Sequence, residues 1–168
     1  MKEDIAEIIQ EYALSHFKRF SELSTMQTTI SAKEKKIKLH DLSAVISMGS
    51  SKINIIIVFS ADKTFVDKLT QLETNGIELD KDDYYEMLHA TLAETANIIL
   101  GHTTRDVGLN KSPISLSPPM LIESSNSMTC AKKASLKSII FISQYGNIEI
   151  HIVKPTGNHN PILEECIS

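Results

Sequence analysis

The sequence predicts an α+β fold: one domain with long helices packed on one face of a largely antiparallel sheet. Three observations predict it. Apolar residues recur at helical spacing over residues 3–20, 62–73 and 82–105. β-Branched, apolar runs lie at 53–59, 136–142 and 148–153. The last two runs are joined by Gln144, Tyr145, Gly146 and Asn147, a turn that makes them an antiparallel hairpin.

In the first helix Ile5, Ile8, Ile9, Tyr12, Phe17 and Phe20 repeat at helical spacing. Acidic residues open it and Lys18 and Arg19 close it, which suits the helix dipole. Residues 24–31 are rich in hydroxyls and read as a loop or an exposed strand. From Lys36 the period changes to two, with Ile37 and Leu39 alternating with Lys36, Lys38 and His40, and Val45 and Ile46 following. A turn at Gly49, Ser50 and Ser51 leads into residues 53–59, an almost wholly apolar run expected as a central strand covered on both faces. These two strands are expected to pair as a hairpin.

Ser60 or Asp62 is expected to cap the second helix, whose buried face holds Phe65, Val66, Leu69 and Leu72. Asn75 and Gly76 end it, as residues tolerant of positive φ should. Asp80, Asp82 and Asp83 crowd the start of the third helix, where negative charge is favoured. They do not make a calcium loop, because Tyr85 and Thr91 stand where that loop needs glycine and glutamate. After the helix, Gly108 and Asn110 mark a turn. Ile114, Leu116 and Leu121 then alternate in an extended segment that Pro118 and Pro119 must interrupt, so it is an edge strand or a kink. Residues 123–127 read as a polar loop. The domain is expected over residues 1–155, with 156–168 a loose tail that Ile162 and Leu163 dock weakly.

Composition removes several function classes. A chain of 168 residues with 42% hydrophobic and 23% charged residues can bury one ordinary core. A net charge of -4 with no basic stripe argues against nucleic-acid binding. The longest apolar run is far too short for a bilayer, so no membrane partner is expected. The acidic, amphipathic first residues do not read as a signal peptide, and Cys130 and Cys166 lie far apart, so a cytoplasmic protein with reduced thiols is expected. The glycines form no phosphate loop. The six histidines form no metal motif, and no serine sits in a nucleophile elbow. Cys130, near Lys132 and Lys133, reads as a surface thiol.

What remains is the middle of the third helix. Leu88, Leu92, Ala96 and Ile99 make its apolar stripe. Glu94 and Asn97 point away from it, about 60° apart around the axis. Ala90 and Gly101 share their sector and leave the backbone there nearly bare, while Met87 and Ile98 flank it. A carboxylate and a carboxamide among small residues, with apolar neighbours, suit a docking face. The bland alternative is a solvated helix face, which charged and amide residues most often make.

Glu94, Asn97 and Gly101 form the pattern ExxNxxxG on a helix, and Ile114, Leu116, Pro118 and Pro119 follow at the right distance. In this the sequence resembles the CheX branch of the CheC/CheX chemotaxis phosphatases. The resemblance covers residues 53–122 best, and the first helix and closing hairpin fit its element order. It implies a CheC/CheX-like fold and a phosphatase that hydrolyses the aspartyl phosphate of a CheY-like receiver domain. It implies that Asn97 orients the attacking water and that Glu94 pairs with the receiver's phosphate-contacting lysine. Met87, Ala90, Ile98 and Gly101 then become docking residues. No cofactor of its own is implied, magnesium being expected on the receiver, and a homodimer joined through exchanged strands is implied. Ala90 departs from the pattern, since relatives often carry serine or aspartate there, and the segment after Pro119 lacks an expected glycine. Only one ExxN helix is present, which favours the one-site CheX type over the two-site CheC type. The alternatives are a non-catalytic module of the same fold that binds a receiver or a flagellar switch component, and a purely structural or dimerisation domain.

Overall fold

The strand β4, Asn54–Ala61, is buried along its whole length apart from Asn54, so the fold has to cover it on both faces. The computed structural model describes residues 4–32, 36–50, 54–108, 113–123, 127–129 and 134–155. β3, Leu42–Gly49, and β9, Gly146–Pro155, pair with β4 on either side. β8, Ala134–Ser143, and β1, Gln27–Ser31, continue outward beyond β9, giving the order β1-β8-β9-β4-β3. The free edge of β3 is shared by β5, Ser115–Leu116, and β6, Met120–Glu123. Every pairing is antiparallel. Pro118 and Pro119 fall between β5 and β6, where the ladder breaks because neither proline has an N–H to donate.

The pleat sorts the sheet into two faces. Ala44, Phe59, Ile150, Ile139 and Ile30 are successive cross-strand partners and make one rung on the helical side. The next rung, Val45, Val58, His151, Ser138 and Ser31, points the other way, as a period of two requires. On the helical side lie α1, Ile5–Lys18, α2, Lys63–Glu73, and α3, Lys81–Gly108. They bury Ile9, Phe17, Phe65, Leu69, Leu92 and Ile99 against Ile46, Phe59, Phe141 and Ile150.

The helices lie on one face of the antiparallel sheet, as expected, and the outer face is covered too, as expected for the strand over residues 53–59. Residues 36–46 do not form a single strand. They split after Lys38, and β2, Lys36–Lys38, peels away to pair with β7, Ser127–Thr129, in a separate two-stranded sheet. Ile37 and Leu39 join Val45, Ile56, Val58, Leu136 and Val153 in a second apolar cluster. Of residues 24–31, Gln27–Ser31 form the edge strand β1, which follows a 3₁₀ turn at Ser21–Leu23. Glu123 belongs to β6 and not to a loop.

The capping of α2 also differs from expectation. Asp62 occupies the N-cap position without a side-chain capping bond. Its carboxylate instead accepts from Asn147 N at 2.8 Å and contacts His40 Nδ1 at 2.7 Å. Asp41 Oδ2 takes the Lys63 N–H at 2.8 Å, and Ser60 Oγ accepts from His40 N at 2.7 Å. The competing partners are long-range and therefore invisible to local sequence. The other end behaves as read: Asn75 has φ 52°, Gly76 has φ 71°, and Gly76 N donates to Gln71 O at 3.0 Å. Gly146, with φ 126°, begins β9 where an added Cβ would lie 2.8 Å from Thr64 Oγ1, so the hairpin packs on α2 only because that Cβ is missing. The expectations for Asn110, Cys130, Lys132, Lys133, Cys166 and the tail with Ile162 and Leu163 lie outside the described residues.

Candidate docking face on the long helix

α3 has 28 residues, about 42 Å of helix. Asp80 starts it by accepting Asp83 N at 2.9 Å on its side chain, which meets one of the unpaired amides of the first turn. Leu88, Leu92, Ala96, Ile99 and Leu100 are buried against the sheet and the other helices. The face opposite is therefore left to solvent. Ala90, Glu94, Asn97 and Gly101 are all exposed, and their spacing of four, three and four residues sets them in one row along the axis. Met87 and Ile98 are half-buried beside that row. A Cβ built on Gly101 meets nothing within 4 Å, so the helix there is open to the close approach of another molecule. Among the described residues neither the Glu94 nor the Asn97 side chain makes a hydrogen bond or an ion pair.

The flanks of the row are tied down by residues that the sequence alone did not single out. On one side Tyr85 donates to Glu123 Oε2 at 2.8 Å. His89 Nε2 lies 2.9 Å from Glu123 Oε1, a close contact without hydrogen-bond alignment. The bond to the Glu123 carboxylate holds the Tyr85 hydroxyl above its ordinary pKa. On the other side Tyr12 of α1 hydrogen-bonds Asp106 and stacks on His102, ring centroids 5.2 Å apart. Tyr84 hydrogen-bonds Asp67 of α2. Three of the four tyrosines thus join α3 to β6, α1 and α2. The i, i+4 spacing of Tyr85 and His89 was the one local signal for this. Their partner Glu123 lies 38 residues from Tyr85 in the chain.

Chemically the row offers one carboxylate and one carboxamide on a rigid support. The carboxamide donates and accepts at once, and the carboxylate accepts from a cation. Among the described residues no three His, Cys, Asp or Glu side chains gather in a metal-binding arrangement. No helix among them is long and apolar enough to cross a membrane. A shallow cleft between α2 and the β8–β9 turn, lined by Thr64, Lys68 and Tyr145 among others, shares no residue with the row.

A family model described as chemotaxis phosphatase CheX matches residues 42–143, a span that includes all of α3 and both proline-separated strands. No curated protein matches the chain. Among solved structures, the CheX–CheY–BeF3–Mg2+ complex from Borrelia burgdorferi matches at 20% identity and a TM-score of 0.71, over 90% of this chain and 98% of that one. A chemotactic CheC-like protein from Shewanella oneidensis matches at 15% identity and a TM-score of 0.74, over 90% of this chain and 98% of that one. A chemotaxis protein CheX from Vibrio vulnificus matches at 16% identity and a TM-score of 0.72, over 88% and 97%. At these identities the likeness is one of fold.

Proposed function

The chain belongs to the chemotaxis phosphatase CheX family, and from that premise we propose that it hydrolyses the aspartyl phosphate of a CheY-like receiver domain, with Asn97 orienting the attacking water and Glu94 pairing with a receiver lysine. One observation carries the reading: Glu94 and Asn97 stand exposed and without protein partners in a row with Ala90 and Gly101. Small residues on either side let a second backbone approach, and Met87 and Ile98 supply apolar contact around the polar pair.

In this reading the Asn97 carboxamide oxygen accepts from the water and its NH₂ donates toward the phosphoryl group, which fixes the water in line with the scissile bond. The water oxygen forms the new bond to phosphorus, and the bond from phosphorus to the aspartyl oxygen breaks. Inorganic phosphate and an aspartate carboxylate result, and the water's proton passes to phosphate or solvent. Magnesium belongs to the receiver's side of the complex, where it neutralises the phosphoryl charge. Glu94 fixes the docked register, so its contribution is to binding.

The test is the loss of phosphate from a phosphorylated CheY-like receiver. Addition of the protein accelerates it if the proposal is right. Binding without acceleration would favour the second reading, a non-catalytic receiver- or switch-binding module, to which Ala90 lends weight because it leaves the row without a third polar group.

Gly101 gives a separate prediction. Alanine there meets open space and removes the backbone freedom of a mid-helix glycine, so Gly101→Ala raises stability by about 0.5–1 kcal/mol. The same methyl group lies where the receiver must approach, so dephosphorylation falls. Chemical denaturation and phosphate release measured on the same preparation check both signs. A rise in stability with unchanged activity would remove Gly101 from the docking face. A homodimer and a cytoplasmic location belong to the same reading. The edge strands β1 and β6, with Ile30, Met120 and Leu121 exposed, are where a second sheet would join.

A further inference from the structure

The side of the sheet away from the helices carries a polar network that the docking face does not use. His40 lies in the short link between β2 and β3. Its Nδ1 is 2.7 Å from Asp62 Oδ1, and its Nε2 is 3.1 Å from Glu149 Oε1. Asp62 stands at the start of α2 and Glu149 on β9, so one imidazole bridges two carboxylates from two elements. A neutral imidazole has a single N–H and can satisfy only one of them, leaving a lone pair against the other carboxylate. An imidazolium satisfies both. The same link is held by His40 N donating to Ser60 Oγ and by Asp41 accepting from Lys63 N.

What the link holds down is apolar. Ile37 and Leu39, each 1% exposed, cap the second cluster, beneath which lie Val45, Ile56, Val58, Leu136 and Val153. β2 is three residues long and, among the described residues, pairs only with the equally short β7, so its own hydrogen bonds anchor it weakly. We propose that residues 36–41 form a pH-sensitive strap, latched over the outer face of the sheet by a His40 imidazolium hydrogen-bonded to Asp62 and ion-paired with Glu149, and released when His40 loses a proton.

Among the described residues the ionisable groups facing His40 are Asp62, Glu149 and His151, with Asp41 beside it bound to Lys63 N. Burial pulls the His40 pKa down, but the contacts its ring makes with the Glu149 and Asp62 carboxylates outweigh it and the net shift is upward. A raised histidine pKa stabilises the latched form fully below the unfolded value of about 6.5, and the contribution is lost as pH rises through the raised value. His151 works in the opposite sense. Burial, and then the charge of His40, lower it to about 4. It is neutral when the latch is closed, with Nδ1 2.8 Å from Ser138 Oγ, and it weakens the fold only as pH falls from about 6.5 toward that value. Release on the alkaline side therefore belongs to His40.

The experiment is hydrogen exchange of the whole protein, expressed as protection factors, from about pH 6 to about pH 9, with the His40 ring followed by NMR over the same range. Protection over residues 36–41 should fall by up to about tenfold per pH unit between about pH 6.5 and the His40 midpoint and level off above it, while β4 and β9 keep theirs. In His40→Gln the strap should be poorly protected at every pH. Strap protection that does not change with pH, or that changes with a midpoint different from the His40 ring, overturns the proposal. The wild-type series decides this alone should the variant fail to fold.

Discussion

On the proposed reading, Asn97→Ala should lower turnover of a phosphorylated receiver by about 100-fold, close to 2.7 kcal/mol of transition-state stabilisation, and leave KM nearly unchanged. Two features of α3 make the outcome unusually clean. The Asn97 side chain is exposed and makes no bond among the described residues, so its removal breaks nothing internal. Alanine is also the better helix former, by about 0.5 kcal/mol or a little more, so the variant melts at the same temperature as the wild type or above it. Lost activity with unimpaired stability separates an orienting role from a structural one. On the proposed reading, Glu94→Gln should give the contrasting pattern, since it keeps the side chain's shape and removes the charge proposed to meet the receiver lysine. Its effect falls on KM, by about tenfold, with turnover largely kept. If Asn97→Ala instead raised KM and spared turnover, the carboxamide would be a docking group and the water would be held by something else.

The contrast between these two variants rests on a row of residues that was legible in the sequence, because a helix repeats every 3.6 residues and its faces follow from arithmetic. Leu88, Leu92, Ala96 and Ile99 fix the buried side, and Glu94 and Asn97 then have nowhere to point but outward. β4 and the β8–β9 hairpin were legible for the same kind of reason, a long apolar run and a clear period of two. β2 and β7 were not. Three residues such as Lys36, Ile37 and Lys38 carry too little pattern to tell a separate sheet from the start of β3. β1 alternates only weakly because it is an edge strand. The tyrosine ties around α3 and the network at His40 depend on partners brought together by strand register and helix packing. Tyr12 and Asp106 are 94 residues apart, and His40 and Asp62 are 22 apart. No periodicity encodes such pairs.

Phe17→Ala should cost about 3–5 kcal/mol, the largest loss expected of a single substitution in this domain. Phe17 is fully buried at the junction of three elements. Its ring meets Phe65 of α2 edge-on at 5.5 Å, Phe141 of β8 edge-on at 5.6 Å and His16 edge-on at 5.6 Å, so truncation removes three ring contacts as well as the transferred surface. The remaining wall comes from three separate elements, one of them a strand fixed by its ladder, and cannot close the cavity without moving α1. A domain of this size has about 5–15 kcal/mol in hand, so the loss is a large fraction of the whole and is read directly from the denaturant midpoint. Phe17→Leu keeps most of the volume and should cost clearly less. A loss below about 1 kcal/mol for the alanine variant would mean that α1 is not a structural part of the core. Because α1 also carries Tyr12, which binds Asp106 and stacks on His102 near the C-terminal end of the docking row, the molecules that remain folded test a second point. If they keep full activity per folded chain, α3 holds its pose without α1. If activity falls faster than the folded fraction, the packing of α1 reaches the docking helix through Tyr12.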